Sequence, residues 1–177
     1  MRTNAFLIYA GIFLTLALCS CDKLSELSSV RFPLDKDFKI SSSSSDSITI
    51  IQNIDANSNS EFSTRRSKLV DIQIERLEYE VKTIIAPGTA DSLVNIEISY
   101  RKPESNEFVV IASDQNRKLT FGKKVSLNFN SAAATGLANI LKSSNPKVEL
   151  RISAKMDSAP VDITIAPIIH ILLKANI

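Results

Sequence analysis

From Ile48 onward the chain alternates apolar and polar residues with a period of two, and that rhythm limits its folding more than any other feature. A period of two puts successive side chains on opposite faces of an extended strand, so each segment buries one face only within a sheet. Ile48, Ile50 and Ile54 share a face, with Ile51 interrupting the polar one. Val70, Ile72 and Ile74 alternate with Asp71, Gln73 and Glu75, and then Leu77, Tyr79 and Val81 alternate with Glu78, Glu80 and Lys82. The phase slips by one residue near Glu75-Arg76, as a β-bulge or a tight turn between two short strands would make it do. Ala86-Pro87-Gly88-Thr89 is a turn signal, with Pro-Gly at the centre of a type II turn. Val94, Ile96, Ile98 and Tyr100 form the next inward set, and a hairpin-like loop follows at Lys102 to Asn106.

Phe108 to Ala112 (FVVIA) is apolar on both faces and predicts a central strand. Leu119 and Phe121 predict another extended segment, with Gly122 as a turn or bulge, and Val125, Leu127 and Phe129 resume the alternation. Ser131 to Lys142 breaks the rhythm. There Ala133, Leu137, Ile140 and Leu141 recur at helical spacing, Ser131 is the expected N-cap and Lys142 suits the C-terminal dipole. Gly136 costs about 1 kcal/mol against Ala, so a short helix is expected. Val148, Leu150 and Ile152 begin one closing strand, and Val161, Ile163 and Ile165 the other. Pro167 predicts an edge or a bend in that last strand, and Ile168 to Leu173 (IIHILL) predicts burial on both faces. Together these segments predict an all-β fold: an antiparallel β-sandwich of about 8 strands with one short helix near residues 131–142.

The N-terminus follows other rules. Arg2 is followed by a nearly unbroken apolar run from Ala5 to Leu18, short for a bilayer span but of signal-peptide length. Leu18-Cys19-Ser20-Cys21 then places an aliphatic residue at −3, a small one at −1 and a cysteine at +1. This resembles the lipobox of bacterial lipoproteins, possession of which implies cleavage before Cys21 and acylation of its thiol. A cut before Cys19 would put bulky Leu18 at −1, which the pattern disfavours. The resemblance implies a lipid anchor at Cys21, since several acyl chains on one residue give stable attachment. It also implies a mature chain whose only cysteine is the lipidated one. In Bacteroidota lipoproteins a short acidic run after the cysteine promotes surface export. Asp22 to Glu26 (DKLSE) is mildly acidic and mixed, so a Bacteroidota-like lipoprotein is one reading and the membrane face is not chosen.

The expected organisation is a signal peptide at 1–20, a lipidated tether at 21–31 and one sandwich domain at 32–177 with a Ser-rich loop at 41–47. Phe32 to Ile40 is expected to supply one edge strand. Over Asp71 to Lys174 the succession of two strands, a short helix and two closing strands loosely resembles late-embryogenesis-abundant type-2 (WHy-like) sandwiches. The Asn-Pro motif of that family is missing from the expected early strand, so no function is carried over.

Little chemistry is written along the chain. His170 is the only histidine and sits in the most apolar strand, so a packed ring with satisfied nitrogens is expected rather than a general base. Glu75, Glu78 and Glu80 read as a solvated strand face, and Asp35 and Asp37 lack the further ligands and turn glycine of a calcium loop. Arg65-Arg66 and Lys123-Lys124 are basic doublets without interleaved aromatics, and charge is nearly balanced at +2, which argues against nucleic acid. No catalytic, cofactor or metal residue is assigned. The expectation is a non-enzymatic, outer-membrane lipoprotein of the bacterial envelope. Its membrane contact is through acyl chains on Cys21, and its partner is an envelope or extracellular protein. The alternative is a periplasmic lipid-handling carrier with an apolar pocket between its sheets.

Overall fold

Alternating sequences need partners for both their backbone groups and their apolar faces, and two antiparallel sheets supply them here. A computed structural model describes residues 27–42, 47–85, 92–118, 120–156 and 161–176. The strands are β1 (Leu27–Asp35), β2 (Phe38–Ser42), β3 (Ser47–Asp55), β4 (Leu69–Ile85), β5 (Ser92–Arg101), β6 (Val109–Lys118), β7 (Lys124–Leu127), β8 (Lys147–Met156) and β9 (Val161–Asn176). Among the described residues two α-helices interrupt them, α1 (Ser60–Arg65) and α2 (Ser131–Lys142). The first sheet runs β1-β9-β4-β7, with β2 also on β9, and the second runs β3-β8-β5-β6. Every named pairing is antiparallel. The sandwich and the helix at 131–142 are therefore as the alternation predicts.

The core lies between the sheets. Phe38, Ile40, Leu77, Tyr79, Ile165 and Ile171 from the first sheet and Ile96, Ile98, Leu150 and Ile152 from the second are essentially inaccessible to solvent. The phase slip at Glu75 is a bulge within one continuous strand, between the pairs Ile74↔Ile171 and Arg76↔His170. Pro167 lies in a central strand rather than at an edge. On one side it faces Tyr79; on the other, β2 ends its pairing at Ile165 and β1 begins at Ile168, so the missing N–H falls where no partner strand stands.

Several boundaries differ from expectation. Residues 27–31, read as tether, are the first part of β1, because backbone pairing with β9 does not require an apolar side-chain pattern. Phe32 to Ile40 divides into two strands, not one. Of the serine run, Ser41 and Ser42 close β2 and Ser47 opens β3, while 43–46 lie outside the described residues, as does the turn signal at 86–89. β6 is an edge strand, not a central one, and Val109 and Val110 are exposed on it. The N-cap of α2 is Asn130, whose side chain accepts from the amides of Ala132 and Ala133. Helix α1 was not legible because Phe62 is its only buried residue and leaves no period to see.

The two ends of the sandwich differ. At one end lie the start of β1, the end of β9 and α1; Ser28, Thr64, Arg65, Lys68, Ala175 and Asn176 line one shallow cleft there. Arg66 ties this end together, donating to Asn57 Oδ1 at 2.6 Å, to the Ser143 carbonyl at 3.3 Å and to the Ser144 carbonyl. Helix α2 is seated by Tyr100, whose hydroxyl donates to the Ala133 carbonyl at 2.6 Å. Gly136 makes room for that hydroxyl, since a Cβ there would lie 2.5 Å from it. At the opposite end, the connections β2–β3, β4–β5, β6–β7 and β8–β9 each pass from one sheet to the other. The register places their strand ends together: Ser42 faces Val161, Ile85 faces Asp162, Ser47 faces Lys155 and Ser92 faces Lys118.

Candidate functional site

The bulge at Glu75 has a consequence on the outer face of the first sheet. An extra residue lets Glu75 and Arg76, neighbours in sequence, both face solvent, where regular alternation would send one inward. Glu75 receives a two-pronged contact from Arg31 of β1, at 2.8 Å from Nε and 3.1 Å from Nη2. Arg76 turns the other way, placing Nε 3.4 Å from Glu78 Oε1 and Nη2 3.3 Å from His170 Nε2. His170 Nε2 is 2.7 Å from Glu78 Oε2, and Ser126 of β7 donates to Glu78 Oε1 at 3.0 Å. Arg31, Glu75, Arg76 and His170 line a cleft of about 380 Å³.

This cluster corrects the reading of Glu78 as a solvated carboxylate. Glu78 is buried, whereas Glu80 on the same face is half-buried and stands opposite Lys124. Burial pushes the Glu78 carboxyl up, but the hydrogen bonds from His170 and Ser126 and the Arg76 charge outweigh it and hold it below the ordinary carboxylate range. The Arg31 hydrogen bond likewise lowers Glu75. His170 is half-buried, with Nε2 engaged by Glu78 and Arg76, and it faces outward between the buried Ile168 and Leu172.

Serine, histidine and a carboxylate thus meet, but in an order unsuited to nucleophilic catalysis. A triad places the imidazole between the nucleophile and the acid. Here the carboxylate is central: Ser126 donates to Glu78 Oε1, and His170 Nε2 lies 2.7 Å from Glu78 Oε2, so the carboxylate rather than the imidazole stands between the other two. What the arrangement does is neutralise paired charges on a sheet surface.

The second sheet carries a comparable outer array. Arg101 pairs with Glu149 at 2.6 Å, and Arg151 reaches Ser99 Oγ at 2.8 Å and Glu97 at 3.1 Å. Both guanidinium groups lie over the Phe108 ring, 4.4 and 4.3 Å from its centroid. Phe108 therefore precedes β6 as a ring contacted by arginines rather than lying within a central strand. Of the other candidates, Asp37 pairs with Lys82 at 2.7 Å, and Arg65 pairs with Glu61. Cys21 lies outside the described residues. Among the described residues, no helix is long and apolar enough to cross a membrane, and no three His, Cys, Asp or Glu side chains gather as a metal site would require.

The segment around Phe121 is a turn rather than an extended segment. The Lys123 amide donates to the Thr120 carbonyl at 3.2 Å, and Gly122 has φ of +69°. The Gly122 amide donates to the Val81 carbonyl at 2.9 Å, which ties the turn to β4. Phe121 occupies the second turn position and is 70% exposed. The signal available in sequence was Gly122, which a left-handed turn position favours.

No protein-family model matches the chain, and no curated protein matches it. Solved structures with some likeness include viral ones. One titled for Desmodium yellow mottle tymovirus aligns with 85% of this chain and 89% of its own, at 12% identity and a TM-score of 0.35. Infectious bursal disease virus strain Gt aligns with 88% of this chain and 35% of its own, at 14% identity and 0.39. At these values the likeness carries no functional argument.

Proposed function

We propose that this chain is a non-enzymatic lipoprotein of the bacterial cell envelope, anchored in the outer membrane through acyl chains on Cys21. Its β-sandwich would serve as a binding or structural module for an envelope or extracellular protein. The observation that carries the reading is the polarity of the sandwich. β1 begins at Leu27, six positions after Cys21, at the end that bears α1. Six residues of extended chain reach about 20 Å, so an anchored Cys21 would hold that end near the membrane. The β2–β3, β4–β5, β6–β7 and β8–β9 connections would then point away from it.

The carrier reading would need an apolar pocket between the sheets. Phe38, Leu77, Tyr79, Ile98 and Leu150 fill inter-sheet positions where such a pocket would lie, which favours the binding module. The test is metabolic labelling with radioactive palmitate. The natural chain is expected to incorporate label, and Cys21→Ser is expected to lose it and accumulate unprocessed. Equal labelling of the two would defeat the proposal. Protease treatment of intact and lysed cells would then assign the membrane face.

A further inference from the structure

The turn at 120–123 combines two properties that core formation does not explain. Phe121 and Ile85 are the two most exposed large apolar side chains among the described residues, at 70% and 65%, and both lie toward the end carrying the β4–β5 and β6–β7 connections. Phe121 also sits within a cationic stretch: residues 117–124 (RKLTFGKK) contain four basic residues and no acidic one. Arg117 is committed to Asp114 at 3.0 Å, and Lys124 stands opposite Glu80 in the register. Lys123 is exposed and makes no ion pair among the described residues. The turn holding them is fastened by the Gly122 amide to β4 and by the Lys123 amide to Thr120, so Phe121 is presented rather than collapsed.

We infer that this turn docks on an anionic lipid surface, with Phe121 entering the interfacial region and Lys123 and Lys124 meeting headgroup charge. A protein partner would need a complementary patch of standard size and packing around Phe121. A single exposed aromatic at a turn, followed by the long cationic stems of Lys123 and Lys124, suits a fluid interface instead. There the ring leaves water and the lysines reach the headgroups. The inference does not depend on the acyl anchor. If Cys21 is acylated, the two ends of the sandwich would contact two lipid surfaces.

The chain has no tryptophan, so Phe121→Trp places a single emitting indole at the tip. The full chain carrying this substitution would be mixed with vesicles of phosphatidylcholine alone or with phosphatidylglycerol added. A blue shift and quenching by brominated lipid are expected only with the anionic vesicles. Adding Lys123→Glu and Lys124→Glu is expected to weaken that response by about tenfold or more. No response with anionic vesicles, or the same response with both compositions, would overturn the inference. A response to soluble polyglutamate but not to vesicles would overturn it in favour of an acidic protein partner. Co-sedimentation with neutral vesicles scores the anchor separately, because an acyl chain carries the protein to both compositions without immersing the tip.

Discussion

The two ends of the sandwich differ in how their side chains are used. At the β1 end, polar side chains are spent on internal order: Arg66 joins α1 to the loop after α2, Asn59 and Asn130 cap the helices, and Tyr100 holds α2 through Ala133. At the opposite end, Phe121 and Ile85 face solvent. Apolar side chains are ordinarily withdrawn from water where the fold can do so. Among the described residues, the large apolar side chains left exposed at the β1 end are Val70, Val109 and Val110, at 39%, 44% and 41%, whereas Phe121 and Ile85 at the other end reach 70% and 65%, so the ends differ in degree.

The largest expected effect breaks the first end. Leu137 is fully buried beneath α2, and Leu137→Ala is expected to destabilise by about 2–5 kcal/mol, read from the denaturant midpoint. Gly136→Ala gives a sharper reading. Helix propensity alone would make it stabilising by about 1 kcal/mol. The Tyr100 hydroxyl stands where the new methyl must go, so net destabilisation of about 1–2 kcal/mol is expected. Restoration in the double variant Gly136→Ala with Tyr100→Phe would locate the clash, and a stabilised single variant would refute it.

Glu78→Gln tests the sheet surface between the ends. A carboxyl held below its ordinary value of 4.5 stabilises the fold above that value and loses this contribution as pH falls through the folded value. The substitution is therefore expected to cost about 1–2 kcal/mol at neutral pH. The gap between the two proteins should close in acid; a gap independent of pH would contradict the assigned charge. The smallest effect belongs to the other end. Phe121→Ser is expected to change stability by less than about 0.5 kcal/mol, and a large loss would show that the ring is structural after all.

Much of this could be read from the residues. Periodicity identified most of the strands, a phase slip at Glu75 that the register resolves as a bulge, and helix α2, because burial of one face imposes a rhythm on the side chains. It failed where backbone pairing or long side chains did the work. Leu27 to Arg31 pairs with β9 without an apolar pattern, and Phe108 looked central because its cover is two guanidinium groups rather than a strand. The charge cluster was illegible for a related reason: Arg31, Glu78, Ser126 and His170 come from four strands, and only the register joins them. The resemblance of Leu18 to Cys21 to a lipobox is a local signal and needs no fold to be seen.

The most direct test of the central claim, that the β1 end is held at the membrane, is a pair of energy-transfer measurements. The mature lipidated chain would carry a donor dye at Ser28→Cys or at Thr120→Cys, the thiol of Cys21 being blocked by its lipid. It would be reconstituted in neutral vesicles containing an acceptor lipid. β9 has 16 residues, so the sandwich is about 50 Å long and its ends are distinguishable. Strong transfer from position 28 and weak transfer from position 120 is the expected result. Equal transfer from both, or stronger transfer from position 120, would contradict the account.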